Sequence, residues 1–414
     1  LNWLFKNATV SQTIAKNTFW LFAGQMAGRL LRAAIVIYAA RVLGAASWGA
    51  FSYALGIAAF LTIFSDIGIN ALITKESARN PELKDRYLST ALFTKLGLLT
   101  ILIVAVFVLF PIVTTIEEAA VLMPILIFVF AFDSLRDLGS AVSRALEKME
   151  IEASINIFTN FAIVVLGFIF LMTSPTSASL ATAYAIGSGL GLVAIIFVLR
   201  EHFRNLLRNF DKRLIKSIFA VAWPFGLMGI MGAMMLNTDI IMLGWMRKAE
   251  EVGLYSAAQK PIQLLYILPT LLASSLFPVL SRLAKAAPDI AKKILKKYLR
   301  VVIAVSLPVT LIGVFLAGPI MNLLYGNEYA AGASTLQILF FTILIVYPST
   351  LLGNAIFAWD HQKDFIIFVL VAFVSKIAFN LILIPPFGIE GAAFSMVFSQ
   401  LFTNVLIWRR ATTL

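Results

Sequence analysis

The sequence predicts an all-α polytopic membrane protein with about twelve transmembrane helices, arranged as two pseudo-symmetric six-helix lobes with both termini in the cytoplasm. Three observations predict this fold: an apolar composition, apolar runs of spanning length and an alternation in loop charge. Of the 414 residues, 60% are hydrophobic and only 13% are charged. Soluble domains contain roughly 45–50% apolar and about 25% charged residues, so this composition excludes a soluble globular chain.

Apolar runs of about 20 residues, the length that crosses a hydrocarbon core of roughly 30 Å, occur twelve times along the chain. Their cores are 17–42, 48–73, 87–111, 119–143, 153–173, 179–199, 217–245, 252–281, 300–324, 332–358, 365–385 and 390–408. The first run is too long and too charged for a cleavable signal peptide, so we interpret it as a retained span. We therefore predict an N-terminal six-helix lobe at 1–199, a cytoplasmic amphipathic linker at 200–216 and a C-terminal six-helix lobe at 217–414.

Basic residues concentrate in every second loop. These loops hold 24 of the 33 lysines and arginines, whereas the alternate loops hold three basic residues beside six glutamates. Because positively charged loops stay in the cytoplasm, both termini are predicted to be cytoplasmic. The linker 200–216 has apolar residues at helical spacing among its basic residues, which is typical of a helix at the membrane interface. The net charge of +12 follows from this topology and gives no reason to invoke nucleic acid.

The two halves of the chain carry an internal repeat. The segment WGAFSYA at 48–54 returns as VGLYSAA at 252–258, which is 204 residues later, and each copy opens the second span of its half. Two parallel six-helix halves imply a pseudo-two-fold axis along the membrane normal and a cavity between the halves. This geometry favours an alternating-access carrier.

Ten charged residues lie within the spans, apart from those at the span ends. The cations are Arg29, Arg32, Lys95, Arg136, Lys260 and Lys376, and the acids are Asp66, Asp133, Asp137 and Asp239. Each costs about 2.5–3.5 kcal/mol at a helix centre, while a leucine or isoleucine returns only about 0.3–0.6 kcal/mol. These side chains must therefore face protein or water, and each is a candidate functional residue.

A polar stripe on the first span is the strongest candidate site. Gln25, Arg29 and Arg32 fall at i, i+4 and i+7 on one helix face near the membrane midplane. Lys376 lies at a similar depth on the eleventh span with Asn380 one turn away, and no acid is expected at the level of these cations. We predict that the five residues bind an anionic substrate. In the alternative interpretation, the arginines pair with acids on neighbouring helices and fix only the helix register.

The other intramembrane charges are expected to pair with one another. Asp239 and Lys260 lie at similar depths in the outer halves of their spans, which predicts a structural ion pair. The remaining pairs are expected in the inner half of the membrane, where Asp66 lies near the level of Lys95 and Arg136 shares a helix face with Asp133 and Asp137.

No residue pattern predicts catalysis, a cofactor or a metal site. The chain has no cysteine, and its two histidines, His202 and His361, fall in short polar connectors. Disulfides and Cys-ligated metals are therefore excluded by composition.

Several segments resemble recurring sequence motifs of a known family. They are ARVLGAASWGAFSYA at 40–54, FSDIGINALITKESAR at 64–79, DIIMLGWMRKAEEVGLYSAAQK at 239–260, LLYGNEYAAGASTLQIL at 323–339 and LIPPFGIEGAAFS at 383–395. From about residue 15 to 408 the chain is similar to the polysaccharide transporter, or Wzx-like, branch of the multidrug/oligosaccharidyl-lipid/polysaccharide exporter superfamily. The resemblance implies a flippase of the cytoplasmic membrane that turns a polyprenyl diphosphate-linked oligosaccharide to the outer leaflet by rocking two six-helix lobes. It also implies cationic residues for the diphosphate, a role that would fall on Arg29 and Arg32.

The expected partners are a lipid-linked oligosaccharide, membrane lipids and other polysaccharide-assembly proteins. Energy would come from proton or sodium exchange through Asp66, Asp133 or Asp137, or from the membrane potential. Two other functions stay open at this point. A multidrug or cation antiporter of the same superfamily would favour an acidic or aromatic cavity, and six basic against four acidic intramembrane residues argue against it. A membrane glycosyltransferase or polymer ligase would need a sizeable soluble loop with acids, histidines or metal ligands.

Overall fold

A computed structural model describes residues 10–79, 84–204, 209–216, 218–219, 237–359 and 362–412. These residues form helices joined by short turns, and no strand occurs among them. Within the same part of the chain, nine helices are long and apolar enough to cross a membrane. The all-helical membrane architecture is therefore confirmed.

The helices follow one another with few intervening residues. They are α1 (Val10–Asp66), α2 (Ile69–Arg79), α3 (Lys84–Val113), α4 (Glu117–Ala145), α5 (Met149–Thr173), α6 (Ser177–Val198), α7 (Arg200–Phe203), α8 (Ala249–Leu265), α9 (Ile267–Ala286), α10 (Pro288–Tyr325), α11 (Ala333–Ala358) and α12 (Gln362–Ala411), with a 3-10 helix (Asn327–Gly332) between α10 and α11. Residues 237–246 are also helical.

Two of the long helices contain a sharp kink at a glycine. Gly44 in α1 has φ 76° and ψ 169°, and Gly388 in α12 has φ 57° and ψ −128°. Residues with a side chain rarely adopt positive φ, so glycine allows the non-helical backbone angles at these two kinks. The kinked α12 covers the predicted spans 365–385 and 390–408. The kinked α1 covers the predicted span 17–42 and the part of the predicted span 48–73 up to Asp66, and α2 continues from Ile69. Because most of the predicted span 217–245 lies outside the described residues, the total of twelve spans stays a prediction.

The chain divides into two compact units. One comprises Leu1–Leu43 and Tyr53–Ala233, and the other comprises Gly44–Ser52 and Met234–Leu414. The first stretch of the predicted second span thus belongs to the second unit. The predicted lobe boundaries around the linker 200–216 stay a prediction.

The first unit packs around a buried apolar cluster contributed mainly by α2, α3, α4, α5 and α6. Its members are Ile69, Leu72, Ile73, Leu88, Ala91, Leu138, Ala141, Val142, Ile155, Ile195, Leu199 and Ile218. The linker also joins this unit, since the Asp211 amide donates to Thr90 Oγ1 over 3.1 Å. This core fixes the relative positions of the helices that carry the polar residues described below.

In the second unit, the two copies of the sequence repeat contact each other reciprocally. A Cβ atom at Gly49 would lie 1.7 Å from the carbonyl oxygen of Ala249, and one at Gly253 would lie 1.9 Å from the carbonyl oxygen of Ala45. Ala249 and Gly253 stand 204 residues after Ala45 and Gly49, so each contact is the counterpart of the other. Reciprocal contacts of this kind are those of a two-fold axis. The two copies of the repeat therefore pack against each other through equivalent positions.

Each unit also exposes large apolar side chains. Ile112 is 78% exposed and Met172 is 75% exposed in the first unit, while Phe315 reaches 81% in the second. Lipid tails are as apolar as these side chains, so their exposure carries no penalty in a membrane.

Candidate functional site

The predicted polar stripe lies on an exposed face of α1. Gln25, Arg29 and Arg32, whose spacing at i, i+4 and i+7 places them on one helix face, are all exposed. The Arg32 guanidinium is held by groups from two other helices. Its Nε donates to Asn160 Oδ1 on α5 over 3.0 Å, and its Cζ lies 5.9 Å from the centroid of the Tyr184 ring on α6. An amide oxygen and an aromatic face, both uncharged, therefore orient this cation.

A chain of carboxamides connects Arg32 to the backbone of α1. Asn160 Nδ2 donates to the carbonyl oxygen of Asn156 over 2.8 Å and to its Oδ1 over 2.9 Å, and Asn156 Nδ2 donates to the Gly24 carbonyl oxygen over 3.0 Å. Gly28 faces these amides closely, because a Cβ there would lie 2.9 Å from both Nδ2 atoms. The absence of a side chain at Gly28 lets α1 approach α5 closely enough for this network.

The sequence-based prediction did not include Asn156 and Asn160. A signal for them was present, since the apolar segment INIFTNF at 155–161 carries two carboxamides at i and i+4, which share a helix face. The segment GQMAG at 24–28 also has the small-xxx-small spacing of closely packed membrane helices. These patterns predict a polar face on the fifth span and a closely packed face on the first span, but they do not identify the two spans as neighbours.

Arg29 and Arg32 have no carboxylate within ion-pair distance in the part of the chain that the structure describes. The alternative interpretation, in which these arginines pair with acids on neighbouring helices, finds no support among those residues. An exposed guanidinium on a spanning helix without a countercharge requires water or an anion beside it.

Other intramembrane cations are paired with carboxylates. Lys95 is fully buried, and its Nζ lies 3.0 Å from Asp66 Oδ1 and 3.1 Å from Asn70 Oδ1. Arg136 lies 2.6 Å from Asp133 and 3.7 Å from Asp137 on the same helix. The predicted pairing of these inner-half charges is confirmed.

Lys376 corrects one prediction, because an acid does lie at its level. Lys376 Nζ is 2.9 Å from Asp239 Oδ2, Asn380 Nδ2 donates to Asp239 Oδ1 over 2.9 Å, and the Tyr255 hydroxyl donates to Asp239 Oδ2 over 2.7 Å. All four side chains are buried. Depth along a single span does not reveal which helices are neighbours, so the prediction missed this partner. The predicted pair of Asp239 with Lys260 stays a prediction.

A polar cavity of about 150 Å³ lies within the first unit beside α1, α4 and α5. Its polar lining consists of Gln25, Arg136, Asp137, Ser140, Glu152 and Asn156. The structure thus brings Gln25 of the predicted substrate site together with Asp137, one of the predicted ion-coupling acids. Arg29 and Arg32 do not line it, and Lys376 and Asn380 belong to the other unit.

Arrangements that could hold a metal do not occur among the described residues, because no three of their His, Asp and Glu side chains cluster suitably. The chemistry offered by the site is therefore that of hydrogen bonding and charge: guanidinium groups, carboxylates and carboxamides.

Comparison with known proteins gives two family matches. The model of the family described as "Polysaccharide biosynthesis protein" matches residues 14–284. A second family model, described as MatE, matches residues 224–382.

Curated relatives and a solved structure extend over nearly the whole chain. The capsular polysaccharide biosynthesis protein CapF of Staphylococcus aureus is 23% identical over 403 residues, covering 94% of this chain and 96% of CapF. A putative O-antigen transporter of Shigella flexneri is 23% identical over 402 residues, covering 92% of this chain and 94% of the transporter. The lipid II flippase MurJ in an inward closed conformation shares the fold, with a TM-score of 0.79, 18% identity and coverage of 95% of this chain and 87% of its own.

Proposed function

The chain belongs to the polysaccharide biosynthesis protein family, and on this premise we propose that it is a flippase for a lipid-linked oligosaccharide. The substrate is a polyprenyl diphosphate-linked oligosaccharide or polysaccharide repeat unit, which the protein turns across the cytoplasmic membrane by alternating access. The names of the curated relatives and the shared fold with the lipid II flippase support this proposal. The activity is translocation without a chemical step, so no catalytic residue is assigned.

The observation that carries the proposal is the absence of a carboxylate beside Arg29 and Arg32 among the described residues. Lys95, Arg136 and Lys376 are neutralised by acids, whereas Arg32 is oriented by an amide and an aromatic ring. A diphosphate supplies the missing negative charge and accepts hydrogen bonds from guanidinium forks. We assign the diphosphate to these two arginines.

Translocation follows from differential binding. The headgroup binds the arginines while the polyprenyl tail stays in lipid, and the charged headgroup shifts the population between inward- and outward-open states. Energy comes from proton or sodium exchange through Asp66, Asp133 or Asp137, or from the membrane potential acting on the moved charge. Transport measured with and without each gradient distinguishes these sources.

Lys376 and Asn380 stay candidate ligands from the sequence. Their burial against Asp239 favours a role in holding the second unit together, since buried ionic groups that satisfy one another are unavailable to a ligand. Twelve spans with cytoplasmic termini remain part of the proposal.

The match to the MatE model over residues 224–382 makes a multidrug antiporter the second candidate. Pockets for drug-sized ligands are lined mainly by apolar and aromatic side chains. The cavity in the first unit is lined mainly by polar groups, which disfavours this candidate. Expression in a drug-sensitive host tests it directly, because an antiporter raises resistance to cationic drugs and a flippase leaves it unchanged.

Binding of a polyprenyl diphosphate oligosaccharide to the purified protein tests the anion site. We expect the Arg29→Ala/Arg32→Ala double variant to bind at least about tenfold more weakly than the wild type, since hydrogen bonds to charged groups contribute about 1.5–3 kcal/mol each. Equal binding by the folded double variant would contradict the assignment.

A further inference from the structure

The polar cavity beside α1, α4 and α5 lies next to the proposed diphosphate site, and the diphosphate does not account for its lining. We propose that this cavity binds the sugar ring attached to the diphosphate, and that it accepts neutral sugars and amino sugars but disfavours acidic ones. The inference rests on the proposed flippase function and adds a sugar subsite to it.

The size of the cavity fits one sugar ring. Its volume is about 150 Å³. An engineered protein cavity of about 150 Å³ binds benzene, a single six-membered ring, whereas pockets for drug-sized ligands occupy roughly 300–1,000 Å³. The volume of the cavity therefore fits one pyranose-sized group.

The lining of the cavity matches the hydrogen-bonding groups of a sugar. Hydroxyl groups both donate and accept, so a complementary site needs donors and acceptors together. Arg136 supplies donors, Asp137 and Glu152 supply acceptors, and Gln25 and Ser140 supply both. An apolar lining would leave the hydroxyls of a bound sugar unsatisfied, at a cost in affinity.

The charge of the cavity determines which sugars it accepts. Arg136 is engaged by Asp133 at 2.6 Å, and Glu152 is engaged by Arg144, whose Nε donates to Glu152 Oε2 over 2.8 Å. Asp137 Oδ1 lies farther from the Arg136 guanidinium, at 3.7 Å, and the Asp137 side chain is 55% exposed. The lining residues and their ion-pair partners together comprise three acids (Asp133, Asp137 and Glu152) and two arginines (Arg136 and Arg144). A sugar carboxylate in the cavity therefore meets a net negative charge. A neutral hydroxyl or a protonated amine does not meet this repulsion.

The position of the cavity relative to Arg32 fits a sugar joined to a diphosphate. Gln25 at the cavity and Arg32 at the proposed anion site lie seven residues apart on α1, which corresponds to about 10 Å along the helix. The two positions are also connected on α5, where Asn156 lines the cavity and donates to α1, while Asn160 accepts from Arg32. A ring in the cavity thus directs its phosphate toward Arg32.

Titration of the purified full chain with three probes tests the subsite. The probes are a polyprenyl diphosphate without sugar, the same lipid with one N-acetylhexosamine and the same lipid with one uronic acid. We expect the wild type to bind the N-acetylhexosamine probe about tenfold more tightly than the other two, which corresponds to ~1.4 kcal/mol. Equal affinity of the wild type for the sugar-free and N-acetylhexosamine probes would overturn the inference.

Two variants identify the cavity as the source of the difference. Gln25→Leu removes a donor and an acceptor from the cavity lining, and we expect it to abolish the gain from the sugar, measured within the variant as the ratio of its affinities for the N-acetylhexosamine probe and the sugar-free lipid. Asp137→Asn removes the charge but keeps the shape, and we expect it to raise affinity for the uronic acid probe. Gln337→Leu, an exposed glutamine of the second unit, is the matched control and should behave as the wild type.

The two failures are distinguishable. If Gln25→Leu still binds the N-acetylhexosamine probe more tightly than the sugar-free lipid, as the wild type is expected to, the subsite is overturned and the diphosphate site stays intact. Sugar-free lipid that binds the wild type and the Arg29→Ala/Arg32→Ala variant equally would contradict the diphosphate site instead. A wild type that binds none of the probes would contradict the proposed function itself.

Discussion

Single side chains show two ways of placing a cation within a spanning helix. Lys95, Arg136 and Lys376 each have a carboxylate at 3.0 Å or less, whereas Arg32 is held by Asn160 and the ring of Tyr184. A neutral acceptor orients the guanidinium without cancelling its charge. The full charge therefore stays available for a phosphate, and a bound anion lowers the cost of about 2.5–3.5 kcal/mol of holding the arginine there.

Substitution of Asn160 separates orientation from charge. Asn160→Asp keeps the acceptor for Arg32 Nε but adds a carboxylate that pairs with the guanidinium. We expect it to lower affinity for polyprenyl diphosphate about tenfold or more, since the new pair competes with the phosphate. The variant also loses the two hydrogen bonds that Asn160 Nδ2 donates to Asn156. Asn160→Leu, which is similar in size, stays neutral and also loses the Nδ2 donor, is the control for the lost hydrogen bonds to Asn156. Wild-type affinity in Asn160→Asp would show that Asn160 does not position the anion site.

The buried charge cluster in the second unit leads to a prediction about stability. Removing one partner of a buried ion pair costs about 3–5 kcal/mol, because the other charge stays buried without it. We expect Lys376→Met to destabilise the protein by this order and Lys376→Met/Asp239→Asn to recover most of the loss. Denaturation monitored in detergent measures both. A Lys376→Met variant as stable as the wild type, but with weaker substrate binding, would restore the predicted ligand role of Lys376.

Sequence reasoning at this scale succeeded where helical periodicity was sufficient. The spacing of Gln25, Arg29 and Arg32 predicts that they share one face of the first span, and all three are exposed on α1. The partners of Asp239 and Arg32 were not predicted, because they lie on helices distant in sequence. Periodicity defines the face of one helix and gives no information about the helix opposite.

At the scale of helices, glycine sets how closely two segments approach. Gly49 and Gly253 each pack against a carbonyl group of the opposite repeat copy, and Ser256 Oγ donates to Ser52 Oγ over 3.1 Å beside them. Ser52 and Ser256 are again 204 residues apart. Side chains at the glycine positions would separate the segments, so the contact requires glycine in both copies.

Alanine substitutions test this packing. Gly49→Ala and Gly253→Ala should each destabilise the protein by about 1–3 kcal/mol, the usual cost of forcing extra atoms into a packed contact. Their effects should be similar, because the two contacts are counterparts. Gly318→Ala is the matched control, since a Cβ there meets no atom within 4 Å. Thermal unfolding in detergent measures all three, and equal stability of Gly49→Ala and Gly318→Ala would contradict the close contact.

Apolar run length predicted the long helices well, because the length needed to span a membrane is set by the bilayer. Details within the helices were not predicted. The chain between the first two predicted spans turns at Gly44 without a separate loop, and the predicted span 252–281 is divided at Tyr266 into α8 and α9. Local backbone angles and prolines determine such features, and hydrophobicity does not report them.

For the whole molecule, the loop charges predict the orientation in the membrane. α5 connects Lys148, in a loop predicted to be cytoplasmic, with Ser174, in a loop predicted to be external. Because the chain has no cysteine, single-cysteine variants need no prior substitutions. A membrane-impermeant maleimide should label Ser174→Cys in intact cells and Lys148→Cys only after permeabilisation. The opposite labelling pattern would contradict the predicted topology.

Transport of the substrate by the reconstituted protein tests the flippase function and its anion site most directly. Proteoliposomes carrying a fluorescent polyprenyl diphosphate oligosaccharide report the fraction of this lipid that moves between leaflets. The control variant is Arg41→Ala, which replaces an exposed arginine at the outer end of the first predicted span. We expect the wild type and Arg41→Ala to move the lipid and the Arg29→Ala/Arg32→Ala variant to lose at least about nine-tenths of the rate, since the lost charge-assisted hydrogen bonds contribute about 1.5–3 kcal/mol each. Undiminished transport by the folded double variant would contradict the role of the arginines, and no transport by the wild type would contradict the flippase function.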